Sequence, residues 1–175
     1  MHVSRTEKGF SLIEMLVAVL IVSIGLLGVA GMQLVGLKGN QQSYSKNKAA
    51  HHIQSLLERL RANPQGVVAN NYVFDSNTLN CNTAPATDCS ATTANCSSEQ
   101  LAIYDLFSAY CGSVGSSPGG MKADLSNSRL RVSCATTCQA GVTLQLDWQE
   151  QTLGGEDGDA SVADRTMTIN TLIGE

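Results

Sequence analysis

The sequence predicts an α+β protein in which one long N-terminal helix covers a small antiparallel sheet. Three observations carry that prediction. An apolar run near the N-terminus passes without a proline into an amphipathic stretch that ends at Asn63-Pro64. Segments alternating apolar and polar residues, the period of a half-buried strand, occur in the last third of the chain. Six cysteines, all between Cys81 and Cys138, punctuate the polar region and the segments around it.

The helix comes first. From Met15 to Met32 run 18 residues without a charge, and Ser23 is the one hydroxyl among them. Extension to Leu37 adds only Gln33 as a polar side chain. About 20 apolar residues cross a bilayer core, so residues 10–37 read as a membrane-spanning half. Residues 38–63 read as its amphipathic continuation. In AAHHIQSLLERLRANP, residues Ile53, Leu56, Leu57 and Leu60 recur at i, i+3, i+4 and i+7 and form one stripe. Asn63-Pro64 ends the helix, because the residue before a proline is pushed out of helical geometry. Ser11 to Arg61 is 51 residues, roughly 75 Å of helix at 1.5 Å per residue. Gly25, Gly28, Gly31, Gly36 and Gly39 punctuate it. Glycine permits close approach of helices in lipid and is also simply common in membrane helices.

One residue does not belong in lipid. Glu14 sits at the start of the apolar run. A charge costs roughly 2.5–3.5 kcal/mol at the bilayer centre and less toward an end, so an ionisable residue there marks a function.

The globular half follows. SNTLNCNTAPATDCSATTANCSS, residues 76–98, has Leu79 as its one large aliphatic and cannot build a core alone. Covalent staples suit it. SSEQLAIYDLFSAYCG predicts a short helix: Ser97 and Gln100 have capping-box spacing and Gly112 stops it. Leu101, Tyr104 and Tyr110, with Phe107 or Cys111, are expected to face the core. SVGSSPGGMK reads as a loop. RLRVSC and VTLQLDW alternate through Leu130, Val132, Cys134 and through Val142, Leu144, Leu146, Trp148. The short ATTCQAG between them predicts an antiparallel hairpin. TMTINTLIG supplies a third strand through Met167 and Ile169, extended by Thr171 and Ile173. Six cysteines allow 15 pairings. Cys134–Cys138 is favoured as a clamp at the hairpin, with Cys81, Cys89, Cys96 and Cys111 left to pair among themselves.

Composition narrows the function. The chain has 175 residues and a formal net charge of −4, which gives no reason to expect nucleic-acid binding. Every cysteine follows the apolar run, so an N-terminus in the cytoplasm places them all on the oxidising side. Flanking charges do not settle orientation: Arg5 and Lys8 stand at one end, and Lys38, Lys46 and Lys48 at the other. No catalytic constellation, phosphate loop or nucleophile elbow is present, so no enzyme activity and no cofactor are expected. His51 and His52 are adjacent on a helix and point about 100° apart, so they do not chelate one ion. The cysteine spacings lack the tight pairs of a zinc site. Glu156, Asp157, Asp159 and Asp164 in LGGEDGDASVAD offer calcium ligands but fail the EF-hand spacing, and a solvated loop between strands is the preferred reading.

The leader lacks the order of a secretory signal peptide, since the basic MHVSRTEKG meets the apolar run with no small-residue cleavage site after it. KGFSLIEMLVA instead resembles the processing site of a type IV prepilin. Gly9, Phe10, Ser11, Leu12, Ile13 and Glu14 match its pattern position by position: glycine, phenylalanine, a small hydroxyl residue, two aliphatics and glutamate. The resemblance implies the type IV pilin fold, residues 1–9 as leader, cleavage by a prepilin peptidase after Gly9, and N-methylation of Phe10. It gives Glu14 the role of pairing with the Phe10 amine of another subunit. It also divides the rest of the chain into the helix halves above and a periplasmic domain at 64–175 stapled by disulfides. The protein is then an inner-membrane single-pass protein that enters a pilus. SIGLLGVAGMQ (23–33), ERLRANP (58–64), LAIYDLF (101–107) and LDWQE (146–150) resemble the PilV type of minor pilin, whose members help initiate pilus assembly near the tip and support attachment and twitching motility. Its expected partners are the peptidase, other minor pilins, the major pilin and the inner-membrane assembly platform. A pseudopilin of a type II secretion system and a tip adhesin are the alternatives.

Overall fold

The computed structural model describes residues 9–91, 93–112, 119–151 and 162–173. Helix α1 spans Leu12–Ala62, its predicted extent to within a residue at each end. Contacts divide the chain into two compact units, Met1–Asn40 and Gln41–Glu175. In the first unit every described residue through Leu37 is exposed. Its helix is long and apolar enough to cross a membrane.

In the second unit α1 buries Ala49, Ile53, Leu56, Leu57 and Leu60, the predicted stripe with one added alanine. The chain does not leave helical geometry for long after Asn63. Helix α2 (Pro64–Val68) starts at once, with Pro64 in its first turn, where a missing N–H is harmless. Asn63 caps it by accepting from the Gly66 N–H at 3.1 Å. Gly66 packs so closely on the Asn63 side chain that a Cβ there would clash.

The predicted three-stranded sheet has a fourth, short edge strand. β1 (Phe74–Asp75), β2 (Arg129–Cys134), β3 (Val142–Gln151) and β4 (Val162–Thr171) lie in chain order and are antiparallel throughout. The register places Leu130 opposite Leu146 and Val132 opposite Leu144. One face of β2 and β3 therefore carries Leu130, Val132, Val142, Leu144, Leu146 and Trp148, all buried. These join the α1 stripe in one core cluster, which satisfies the requirement that a one-sided sheet be covered. A two-residue strand carries little alternation, which is why Phe74–Asp75 escapes sequence detection.

Helix α3 (Ser98–Cys111) has both halves of the predicted capping box and ends at Gly112. Gly112 adopts φ 76°, and a Cβ on it would overlap the Gly119 carbonyl. Its core face is displaced from expectation. Tyr110, Phe107 and Cys111 are buried as predicted, but Leu101 and Tyr104 are only partly covered. Ala102, Asp105, Leu106 and Ala109 join the buried residues of α3 in their place. An acidic residue occupies a core position because it finds partners there. At the end of the segment read as a loop a short helix, α4, starts and runs over Met121–Asp124; residues 113–118 lie outside the described residues. β4 likewise begins earlier than expected, taking in residues 162–165, and ends at Thr171, so Ile173 lies beyond the strand.

Candidate processing and assembly site

Gly9, Phe10 and Ser11 precede the first helical residue. The Ser11 carbonyl accepts from the N–H groups of Glu14 at 3.0 Å and Met15 at 3.3 Å, closing the first turn. The Gly9–Phe10 peptide bond thus lies in irregular backbone next to a helix start. Phe10 is 81% exposed, and a Cβ at Gly9 would meet no atom within 4 Å. Glu14 is exposed in the first turn, where a carboxylate is favoured by the free N–H groups and the helix dipole. The membrane-segment glycines Gly25, Gly28 and Gly31 likewise have open space around them. The one side-chain hydrogen bond seen along this stretch is local, from the Ser23 hydroxyl to the Val19 carbonyl at 2.7 Å. Gly9, Phe10 and Glu14 therefore lie on one exposed segment, and Glu14 has no side-chain hydrogen bond or ion pair among the described residues.

The second unit is locked by covalent and polar devices. Cys81 pairs with Cys111 (Cα–Cα 5.4 Å), Cys89 with Cys96 (6.0 Å) and Cys134 with Cys138 (4.6 Å). The first ties the polar segment to the buried end of α3, the second closes a loop within that segment, and the third clamps the β2–β3 turn. The same turn is fastened to the segment after α2, where the Cys138 backbone N–H donates to the Asn70 side-chain Oδ1 at 2.8 Å.

Asp105 is the hub of a buried network. Arg59 donates to its Oδ1 at 3.0 Å and the Tyr72 hydroxyl to its Oδ2 at 2.8 Å. Asn63 Nδ2 donates to the Tyr72 oxygen at 3.2 Å and to the Ser98 carbonyl at 2.8 Å. Burial, and then the Asp105 carboxylate, push the Tyr72 phenol well above its usual range. The network fastens the end of α1 and the loop after α2 to α3. Asp105 was missed from sequence; its signal was a carboxylate at i+3 from Ala102 and i−4 from Ala109.

On the surface, Asp124 accepts from Lys48 Nζ at 2.7 Å and lies 2.8 Å from His52 Nε2. The Lys48 ammonium, and then His52, hold its carboxyl below the ordinary 3.8. His52 thus serves as a tether for α4, while His51 is exposed. Glu150 is buried, and its oxygens accept from Trp148 Nε1 at 2.9 Å and Arg165 Nε at 3.1 Å. Asp164, a calcium candidate by sequence, is a strand residue whose carboxylate accepts from Gln149 Nε2 at 3.0 Å. Glu156, Asp157 and Asp159 lie outside the described residues. Among the described residues no group of three or more His, Cys, Asp or Glu is placed to hold a metal.

Comparison with known proteins agrees with this geometry. Residues 4–30 match the prokaryotic N-terminal methylation motif, and residues 31–107 match the family of type IV pilin Tt1218. No curated protein and no solved structure is significantly similar to the chain.

Proposed function

Because residues 4–107 match the N-terminal methylation motif and a type IV pilin family in succession, we propose that the chain is a type IV pilin that works as a PilV-type minor pilin and helps to initiate pilus assembly, near the tip. It is made as a prepilin with leader 1–9 and cut between Gly9 and Phe10 by a prepilin peptidase on the cytoplasmic face. Residues 10–37 hold it in the inner membrane with the domain from 64 onward in the periplasm, where the cysteines oxidise.

The observation that carries this reading is Glu14, an exposed carboxylate on a helix with no partner among the described residues. A carboxylate in lipid is tolerable only when paired. Cleavage creates a cationic amine at Phe10, and methylation keeps its charge. Glu14 of one subunit then pairs with the Phe10 amine of a neighbour, so the cost borne in the membrane is relieved on assembly. That makes the carboxylate a register device. The peptidase, the assembly platform, other minor pilins and the major pilin are the partners this sequence of events needs. Attachment and twitching motility follow from the pili so initiated.

Deletion of the chain tests the assignment. Fewer surface pili of unchanged shaft, with sparse labelling by antibody against the protein and low copy number in sheared pili, are the expected results. Dense labelling along the shaft would make it a major subunit. Normal pilus numbers with lost protein secretion would make it a pseudopilin.

A further inference from the structure

The two edges of the sheet are treated differently. One is blunted. β1 is only two residues long, and the ion pairs Asp75–Arg129 and Arg131–Asp147 crowd its neighbourhood. Short strands and charges are how proteins guard an edge against unwanted pairing. The other edge has no such guard. β4 runs ten residues, and among the described residues no strand pairs with it on the side away from β3. Its two charges are already engaged, Asp164 by Gln149 and Arg165 by Glu150. From Thr166 to Thr171 the sequence TMTINT contains no charge, proline or glycine. Threonine and isoleucine are strand-favouring residues, so the edge is built to persist as a strand.

The flanking side chains also lack cover. Met167 and Ile169 pack against the core but are only partly buried, and Leu172 is 72% exposed. A row of free backbone donors and acceptors is satisfied best by another strand, and an edge without net charge selects one without charge. We propose that the free edge of β4 receives an added strand from a pilin-family subunit of different sequence, not from a second copy of this chain. The incoming segment is extended and uncharged. It sets apolar residues beside Met167 and Ile169, and hydroxyl or amide residues beside Thr166, Thr168 and Asn170. That the donor is a pilin-family subunit rests on the pilus reading; that the edge takes a strand rests on β4 alone.

Cross-strand neighbours lie about 5 Å apart, within reach of a photoreactive side chain. A photoreactive amino acid is placed at Asn170 of the full-length protein in pilus-forming cells. It should cross-link to another pilin-family subunit. Adding Thr168→Lys, a charge on the exposed face, should lower the yield roughly tenfold, whereas Thr168→Val should keep it. An unchanged disulfide map and membrane abundance show that the variants fold. No cross-link, one within the chain only, one to a second copy only, or a yield indifferent to Thr168→Lys would overturn the proposal. A second probe at Leu27 separates it from the pilus reading. Cross-links to pilins from Leu27 with none from Asn170 would sink the β4 proposal and leave the pilus reading intact. A cross-link from Asn170 to a secretion pseudopilin would uphold strand addition and refute the pilus reading.

Discussion

Replacing Cys81 and Cys111 together by alanine should be the most damaging removal of a disulfide from this protein. The three bridges close loops with sequence separations of 30, 7 and 4. Loop-closure entropy in the unfolded chain then assigns them about 3.6, 2.4 and 1.9 kcal/mol respectively. The Cys89–Cys96 loop is nested inside the larger one and shortens it, but this trims the first figure by only ~0.2 kcal/mol because the dependence on length is logarithmic. Burial adds a second contribution. Cys111 and Cys138 are buried, whereas Cys89 and Cys96 are half-covered. Losing a buried sulfur costs about 1 kcal/mol, by analogy with a methylene. The expected losses are therefore about 4.5 kcal/mol for Cys81/Cys111, about 3 for Cys134/Cys138 and about 2.4 for Cys89/Cys96. For a chain of this length the largest lowers the melting temperature by roughly 9–18 °C. Urea unfolding of the full-length protein in detergent measures this, with Trp148 as a built-in reporter, since it is the single tryptophan and is 3% exposed. A Cys81/Cys111 variant no less stable than the Cys89/Cys96 variant would refute the reasoning, because no loop-length argument produces that order.

Four further outcomes are expected. A bulky residue in place of Gly9 should leave an uncut precursor that still inserts, and mass spectrometry of membrane extracts should otherwise find a methylated Phe10 at the N-terminus. Glu14→Val should be inserted and cleaved normally yet be missing from sheared pili, as quantified by immunoblot. Tyr72→Phe removes the hydroxyl that bonds Asp105 and should destabilise by about 1–3 kcal/mol in the same unfolding assay. Its phenol titrates higher when folded than when unfolded, so the stability it confers is present below pH 10 and lost as pH rises further; Tyr72→Phe should flatten that alkaline loss. Asp124 titrates lower when folded, so its contribution is complete above the ordinary 3.8 and is lost as pH falls through the folded value; Asp124→Asn should flatten the acid limb of stability against pH.

Local physics was strong enough in several places to be read from the chain alone. The long helix follows from an apolar run and a spaced leucine stripe with no proline before Pro64, and α3 from its capping box and terminal glycine. β2 and β3 follow from strict alternation, since a period of two commits a whole strand to one face. What tertiary structure alone decided depends on neighbours distant in sequence. Phe74–Asp75 became a strand because β2 offered an edge to pair with, not because two residues carry a pattern. The face of α3 turned by about one residue, from Leu101 and Tyr104 to Ala102 and Asp105, because Arg59 and Tyr72 were waiting with a cation and a hydroxyl for the carboxylate. His52 gained its role from Asp124, 72 residues further along the chain. Among the three cysteines of the polar segment and Cys111 no local rule selects a partner. Cys111 met Cys81 because α3 carries it there, and Cys89 was left to Cys96. Periodicity records which face of an element is apolar, but only the folded chain determines which polar groups are close enough to satisfy one another.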